Sequence, residues 1–372
     1  MKLLFLTNVP SPYRVDFFNE LGKYSDLTVL FEKKTSSERD ESWKNYKFNT
    51  FQGVFLKGKS ISVDTAICPG VIKYVKDPSF DEIICSNASS FTGMLAIQYM
   101  KLHNIAYYIE ADGGNAKSGK GIKERIKKYF ISNAKGYFST SNSCDDYFIT
   151  YGGKENVIYR YPFTSLFKKD ILDSPLTHTE KQKLRLKLGI TEDKMIISVG
   201  RFSYMNGYGK GYDTLLRISE HLPKNIGIYI IGDEPTEEFE KWKVEKKLTH
   251  VHFLPFKNKR ELFDYYRASN LSILLSRGEA WGLVINESMA NGLPVIATDA
   301  CVAAVELIKD NKNGYIVSVD DVNNTTMLIE KILFEDKLNN RMAYNAIEAI
   351  RSYSIETMVK EHCKVLLRNI AK

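Results

Sequence analysis

The sequence predicts an α/β protein built from two doubly wound domains, and three observations carry that prediction. Short, nearly continuous apolar runs of strand length alternate with segments of helical period, the pattern of a parallel sheet covered on both faces. The alternation occurs twice, and the two sets are separated by a polar interval, 168–193, that contains no strand pattern. The chain has 372 residues, too many for one compact domain and suited to two.

The elements follow in order. Leu3–Leu6 breaks at Thr7-Asn8-Val9-Pro10, too short for a signal-peptide core, and reads as a buried first strand. A helical segment over 17–21 leads to a strand at 27–31. Further on come a strand at 83–86, a helix at 93–102 and strands at 105–109, 136–139 and 157–159. The uncharged stretch 83–100 is interrupted by Ser86-Asn87-Ala88-Ser89-Ser90, which disqualifies it as a membrane span. Within the polar interval, 179–188 reads as a capped, charged helix. The second set comprises strands at 195–199, 226–231, 251–254, 271–275 and 294–297, with helices starting near Tyr212, Lys259 and Leu283. The expected domains are therefore 1–165 and 194–352, joined by a linker, 166–193. A final helix at 355–369, within the terminal segment 353–372, is free to dock on either domain. Two such domains facing one another leave a central cleft at the carboxyl ends of their strands, where open parallel sheets bind ligands.

Composition narrows the function. Hydrophobic residues at 44% and charged residues at 26%, with only 10 Pro and 23 Gly, exclude a disordered or fibrous chain. The net charge of +7 is small for a dedicated nucleic-acid binder, and the aromatics are scattered through apolar elements, so no nucleic-acid partner is expected. Residues 1–170 hold 24 Lys/Arg against 18 Asp/Glu, which places most of the excess in the first half. Five cysteines without C-x-x-C spacing suggest neither zinc nor a disulfide framework and fit a reducing cytoplasm. No histidine pair has i, i+4 spacing, and His250 and His252, flanking Val251, read as surface residues. No metal and no other cofactor is expected, and nothing in the sequence sets an oligomeric state.

Two strand-following loops carry the chemistry. After the strand at 195–199 comes Gly200-Arg201-Phe202-Ser203-Tyr204-Met205-Asn206-Gly207-Tyr208-Gly209-Lys210-Gly211-Tyr212-Asp213. Arg201 and Lys210 flank a glycine-rich turn whose amides favour an anion, and Asp213 or Thr214 is the expected cap of the next helix. Lys210 is followed by Gly211 rather than Ser or Thr, so this is no P-loop, and the spacing does not match a dinucleotide fingerprint. The second loop runs from Ser276 through Arg277, Gly278, Glu279, Ala280, Trp281 and Gly282 into a helix opened by Leu283 and carrying Glu287 in its second turn. The helix N-terminus suits phosphate oxygens, and two carboxylates eight residues apart suit sugar hydroxyls.

Ser276 to Asp299, with Glu279 and Glu287 in a Glu-x7-Glu arrangement, resembles the donor-site signature of glycosyltransferase family 4. Gly200-Arg201 with Lys210-Gly211 resembles that family's second signature, and the similarity continues through Gly232-Asp233 and Glu306 to Asn313-Gly314. Pro10-Ser11-Pro12-Tyr13-Arg14 resembles a subset of these enzymes found in bacterial surface-polysaccharide synthesis. The resemblance implies an α/β GT-B fold of two facing Rossmann-like domains with a central cleft, and retaining transfer from a nucleotide sugar, most often a UDP-sugar. It implies that Arg201 and Lys210 neutralise the donor diphosphate, that Glu279 orients the transferred sugar, and that Glu287 binds the ribose. Gly200, Gly232, Phe256, Trp281, Gly282 and Leu283 would complete the donor site. Where many members carry a histidine, this chain reads Glu110-Ala111-Asp112, so Glu110 and Asp112 become candidates for acceptor binding or proton handling, and Tyr13 and Arg14 are further acceptor-side candidates.

The acceptor implied is a hydroxyl of a glycan or lipid-linked glycan in capsule, exopolysaccharide or lipopolysaccharide synthesis. A nucleotide-sugar epimerase of the same fold and a catalytically silent partner subunit are the competing readings. Lys117, Lys120, Lys123, Arg125, Lys127 and Lys128 surround Ile122, Ile126 and Tyr129, a basic amphipathic segment suited either to packing on the sheet or to peripheral contact with an anionic membrane, such as the inner face of the plasma membrane.

Overall fold

The computed structural model describes residues 1–35, 46–114, 116 and 121–368. The chain divides into two units, Met1–Ser165 with Tyr353–Lys372, and Leu166–Ser352.

The first unit contains β1 (Lys2–Thr7), α1 (Pro12–Leu21), β2 (Asp26–Phe31), β3 (Gln52–Phe55), a hairpin of β4 (Lys59–Ser60) and β5 (Ala66–Ile67), α2 (Val71–Val75) and β6 (Glu82–Cys85). It continues with α3 (Phe91–Leu102), β7 (Tyr108–Glu110), α4 (Ile122–Ile131), β8 (Gly136–Ser139), α5 (Asn142–Thr150) and β9 (Ile158–Arg160). The seven-stranded sheet has the order β3-β2-β1-β6-β7-β8-β9 and is parallel throughout. Its strands β1, β6 and β8 are buried almost end to end, as their unbroken apolar runs require. Ile105 to Tyr107 extend the apolar run before β7 but are not strand: the Ile105 amide closes the end of α3 on the Met100 carbonyl, 2.9 Å away, and pairing with β6 begins only at Tyr108.

The second unit begins with α6 (His178–Leu188), whose Thr177 and Glu180 form a reciprocal capping box and whose Gly189 ends it in the left-handed conformation. There follow β10 (Lys194–Val199), α7 (Tyr212–Ser219), β11 (Ile226–Ile231), α8 (Glu237–Glu245), β12 (Val251–Leu254), α9 (Lys259–Ala268) and β13 (Leu271–Leu274). The unit closes with α10 (Leu283–Ala290), β14 (Val295–Thr298), α11 (Val302–Leu307), β15 (Gly314–Val317), α12 (Val322–Phe334) and α13 (Asp336–Ile350). Its parallel sheet has the order β12-β11-β10-β13-β14-β15, around a core of Ile196, Ile228, Ile273, Ile296 and Leu215. Residues expected to form a linker are part of this unit: α6 packs beside α9, and the Leu172 amide bonds to the Ala290 carbonyl at 2.9 Å.

The last helix, α14 (Ile355–Arg368), returns to the first unit and packs on α1. Of the two histidines read as surface residues, His250 is buried and His252 keeps a side chain that is one-third exposed. His250 is buried against the Ser219 carbonyl, and His252 stacks on Tyr229 and bonds to Glu192 at 2.6 Å.

Candidate functional site

In the second sheet the strand order reverses at β10, with β11 and β12 on one side and β13 to β15 on the other, so the loops after β10 and β13 open together at the carboxyl edge. Both sequence-predicted loops follow those two strands. The first is folded back tightly: the Gly200 amide bonds to the Ile231 carbonyl at 3.0 Å, and a side chain at Gly232 would collide with the Gly200 carbonyl. Asp233 accepts from the Phe202 amide and from the Ser203 amide, the latter at 3.0 Å, and so holds the turn that carries Arg201. Met205, Asn206 and Gly207 then take positive φ values of 50°, 52° and 87°, a kink that delivers Lys210 to the start of α7. Asp213 is not the cap of α7. Gly211 opens that helix, and the Asp213 carboxylate is taken by Arg277.

The two loops meet at Lys210. Its ammonium is ion-paired with Glu279, and Ser276 donates to the same carboxylate oxygen at 3.1 Å. The two charged side chains are 16% and 17% exposed, so the pair lies at the edge of solvent, not beneath it. Arg277 fastens the loops from behind: its guanidinium donates to Asp213 at 2.7 and 2.8 Å, to Asp320 at 2.5 Å and to the Tyr208 carbonyl, while its amide bonds to the Gly209 carbonyl at 3.0 Å. Thr214 adds a bond to Asp320 at 2.7 Å.

Past Glu279 the backbone turns at Gly282, whose φ of 105° only glycine tolerates and where a side chain would lie 2.6 Å from the Cys301 sulfur. That turn aims the first amides of α10, which have no acceptor within the helix, toward the same carboxyl edge. Trp281, expected from the resemblance to line the donor site, is 3% exposed and donates to Asn286 at 2.8 Å. Leu283 is half-buried at the first position of α10, and Phe256 is exposed after β12. Glu287 accepts from the Tyr266 hydroxyl at 3.3 Å. Burial, with the Glu287 charge behind it, holds that phenol well above its ordinary range.

The acceptor-side candidates of the first unit form a buried charge cluster. Arg14, 3% exposed, is paired with both Glu110 and Asp112. Glu110 also meets His362 of α14 at 2.9 Å, and the other ring nitrogen of His362 lies 2.8 Å from the Met358 carbonyl. Both ring nitrogens thus lie within hydrogen-bond distance of oxygen atoms. Burial works against ionisation of Glu110, but Arg14 and His362 outweigh it and hold the carboxyl down to about 2. Asp112 is pushed the other way by burial and by the Glu110 charge, with Arg14 opposing. The Asp112 carboxylate also faces the Tyr161 hydroxyl at 3.5 Å, and Tyr13 packs edge-on against Phe163. Of the basic segment, Lys123, Arg125, Lys127 and Lys128 lie on α4, whereas Lys117 and Lys120 fall outside the described residues.

Sequence reasoning passed over Ser276, Arg277, Tyr266 and His362. Arg277 lies inside the signature loop, but its carboxylate partners are 64 and 43 residues away, and His362 is 252 residues from Glu110, so no local spacing announces either. Among the described residues no group of three or more His, Cys, Asp or Glu is arranged to hold a metal ion, and no helix is long and apolar enough to cross a membrane.

Two Rossmann-like parallel sheets, each with its order reversing at its first strand, make this an α/β protein of the GT-B fold. The structure of Anabaena Alr3699/HepE in complex with UDP is similar over 99% of this chain and 100% of that one, with a TM-score of 0.79 at 18% identity. The family described as Glycosyl transferases group 1 matches residues 180–349, which include both loops. An uncharacterized glycosyltransferase of Haemophilus influenzae is 29% identical over 182 residues, 47% of this chain and 49% of that one. The amylovoran biosynthesis glycosyltransferase AmsD of Erwinia amylovora is 25% identical over 176 residues, 46% of this chain and 47% of that one. The chain thus spans about half the length of the curated relatives it matches.

Proposed function

We propose that this protein is a retaining glycosyltransferase of family 4 that moves a sugar from a nucleotide sugar, a UDP-sugar in the first instance, to a hydroxyl of a glycan or lipid-linked glycan. The observation that carries the reading is the Lys210–Glu279 pair at the switch point of the second sheet, beside a glycine-opened helix and within the region matching group 1 glycosyl transferases. A diphosphate entering there replaces Glu279 as the partner of Lys210 and frees the carboxylate to accept sugar hydroxyls. Arg201 and the first amides of α10 add positive potential where leaving-group charge develops, which stabilises the transition state more than the ground state. Glu287 takes the ribose hydroxyls, with Tyr266 fixing its orientation. UDP is favoured because the HepE neighbour was solved with UDP, and surface polysaccharide because the Erwinia relative serves amylovoran biosynthesis.

Transfer proceeds from the front face. The bond from the anomeric carbon to the diphosphate oxygen breaks as the acceptor oxygen bonds to the same face, and the departing phosphate oxygen takes the acceptor proton. Glu279 positions the sugar and does not attack. Asp112, with Tyr13 beside it, is the acceptor-side candidate that keeps partial exposure, whereas Arg14 and Glu110 support it from within.

The test incubates the purified protein with a panel of nucleotide sugars and a glycan acceptor, following released nucleoside diphosphate and isomerised donor. Released diphosphate with product is expected, and Lys210→Ala and Glu279→Ala should each reduce turnover by about 100-fold or more with unchanged melting curves. Normal transfer by Lys210→Ala sinks the diphosphate assignment. Isomerised donor identifies an epimerase, and neither product identifies a silent partner.

A further inference from the structure

Tyr212 brings to the carboxyl edge of the second sheet a hydroxyl that no protein group engages. It is the first residue of α7, after the left-handed Gly211. Its ring packs on Phe202, with centroids 4.6 Å apart, and its hydroxyl reaches back to Gly200, just past β10. The residue is 1% exposed, and the hydroxyl finds no hydrogen-bond partner among the described residues. Other tyrosines of the second unit do find one: Tyr208 donates to Glu238 at 2.6 Å, Tyr229 to Glu192 at 2.8 Å and Tyr266 to Glu287 at 3.3 Å. The remaining buried tyrosine hydroxyls without a partner, Tyr107 and Tyr151, lie in the first unit. A buried hydroxyl left unpaired lowers stability and calls for a reason.

Its surroundings supply one. Burial, with the Asp233 and Glu279 charges nearby, holds the phenol well above its ordinary range, so it stays a proton donor. Both carboxylates are already engaged, Asp233 by the Phe202 and Ser203 amides and Glu279 by Lys210 and Ser276. Gly200 is not in the left-handed region, so its backbone does not require glycine. Space does: a side chain there would lie 2.8 Å from the Tyr212 hydroxyl and 3.0 Å from Cδ and Cε of Lys210. The hydroxyl and the Lys210 stem therefore border the same space, and Lys210 is the side chain that turns from Glu279 to the diphosphate in the function proposed above.

We propose that Tyr212 is a donor-site binding residue whose hydroxyl donates to a phosphate oxygen of the nucleoside diphosphate once Lys210 has turned from Glu279. The bond is charge-assisted, and it supplies the acceptor that the protein's own groups do not. It strengthens as leaving-group charge grows on the diphosphate, so the residue serves transfer as well as binding. The inference rests on the nucleotide-sugar reading and adds to it a neutral donor that belongs to neither sequence signature.

The test compares the natural chain with Tyr212→Phe, which removes one oxygen and keeps the ring. Calorimetric titration measures the affinity for UDP, GDP and ADP, and thermal melts are recorded without nucleotide. Affinity for the diphosphate that binds should fall by about tenfold or more, while the melting temperature should be equal or higher, because the variant no longer buries an unpaired hydroxyl. Tyr229→Phe, which removes a hydroxyl already bonded to Glu192, should do the reverse, lowering melting and leaving affinity unchanged. Undiminished diphosphate affinity in Tyr212→Phe overturns the inference and leaves the nucleotide-sugar reading standing. So does a loss of affinity accompanied by lowered melting, or an equal loss of affinity in Tyr229→Phe. A natural chain that binds none of the three diphosphates overturns both.

Discussion

Glu110 shows how much one residue's setting departs from its sequence reading. As a side chain after a strand it is a candidate acid or base, yet it is 1% exposed and held ionised between Arg14 and His362. Removing one member of a buried ion cluster strands the others, so Glu110→Gln should destabilise the first unit by about 3–5 kcal/mol in urea unfolding at neutral pH. With its carboxyl lowered to about 2 in the folded state, its contribution is fully present above the ordinary carboxylate range. It is lost as pH falls from roughly 4.5 toward 2, a segment of the acid-unfolding curve that Glu110→Gln should lack. Lys181 has the opposite sign. Its ammonium is buried against the Ser269 carbonyl at 2.7 Å, and burial, aided by Arg185 and Lys194, pushes it down to about 7. The unfolded chain binds that proton up to about pH 10.5, so the group penalises folding below its unfolded value, and the penalty shrinks as pH rises from 7. Lys181→Met should therefore show its greatest gain relative to the natural chain near pH 7 and a smaller one at pH 9.5. A difference in melting temperature that stays flat over this range would refute the assignment.

At the scale of elements, the site depends on two loops kept in register by parts that never touch a substrate in this reading. Gly282→Ala forces a side chain into the left-handed region and against Cys301, at a cost of about 1–3 kcal/mol, and tilts the first turn of α10. Calorimetric titration with a nucleoside diphosphate should show weakened binding beyond the stability loss. Arg277→Ala leaves Asp213, whose side chain is 2% exposed, to the longer ion pair with Arg217 at 3.3 Å, and unfastens the Tyr204–Lys210 segment. Amide exchange over Tyr208–Lys210 should quicken, and Arg277→Lys should not restore protection, since a single ammonium cannot span Asp213, Asp320 and the Tyr208 carbonyl at once. Elements with continuous apolar runs were legible to the residue: β8, β11 and β12 begin and end where the sequence places them. Those that depend on neighbours were not. β3 contains Gly53 and two half-exposed apolar residues and is a strand because β2 offers it an open edge, and α13, which packs on α10 and α12, starts without a side-chain cap.

For the whole molecule, the consequential feature is that the first unit is discontinuous. It closes only when α14 returns after the second unit has been traversed, bringing His362 to Glu110 and an apolar face to α1. Truncation after Ser352 should lower the melting of the first unit, while residues 166–352, continuous in sequence, should fold cooperatively when expressed alone. Scanning calorimetry of both fragments checks this, and an unaltered first-unit transition in the truncated chain would contradict it. The net charge divides along the same boundary, wholly into the unit that carries α4, so ionic strength should act on the two halves unequally.

What the sequence by itself determined is everything that depends on near neighbours. It specified two parallel α/β units, most of their strands, α6 as a capped helix, and the loops bearing Lys210 and Glu279. Tertiary structure alone decided what depends on residues far apart in the chain. It paired Lys210 with Glu279 across 69 residues, turned Asp213 from a helix cap into a partner of Arg277, buried Trp281, and left Ile122, Ile126 and Tyr129 facing outward. The physical reason is that hydrophobic period and capping chemistry act over a few residues, whereas charge pairing and exposure depend on which strand ends and helix faces the sheet order brings together.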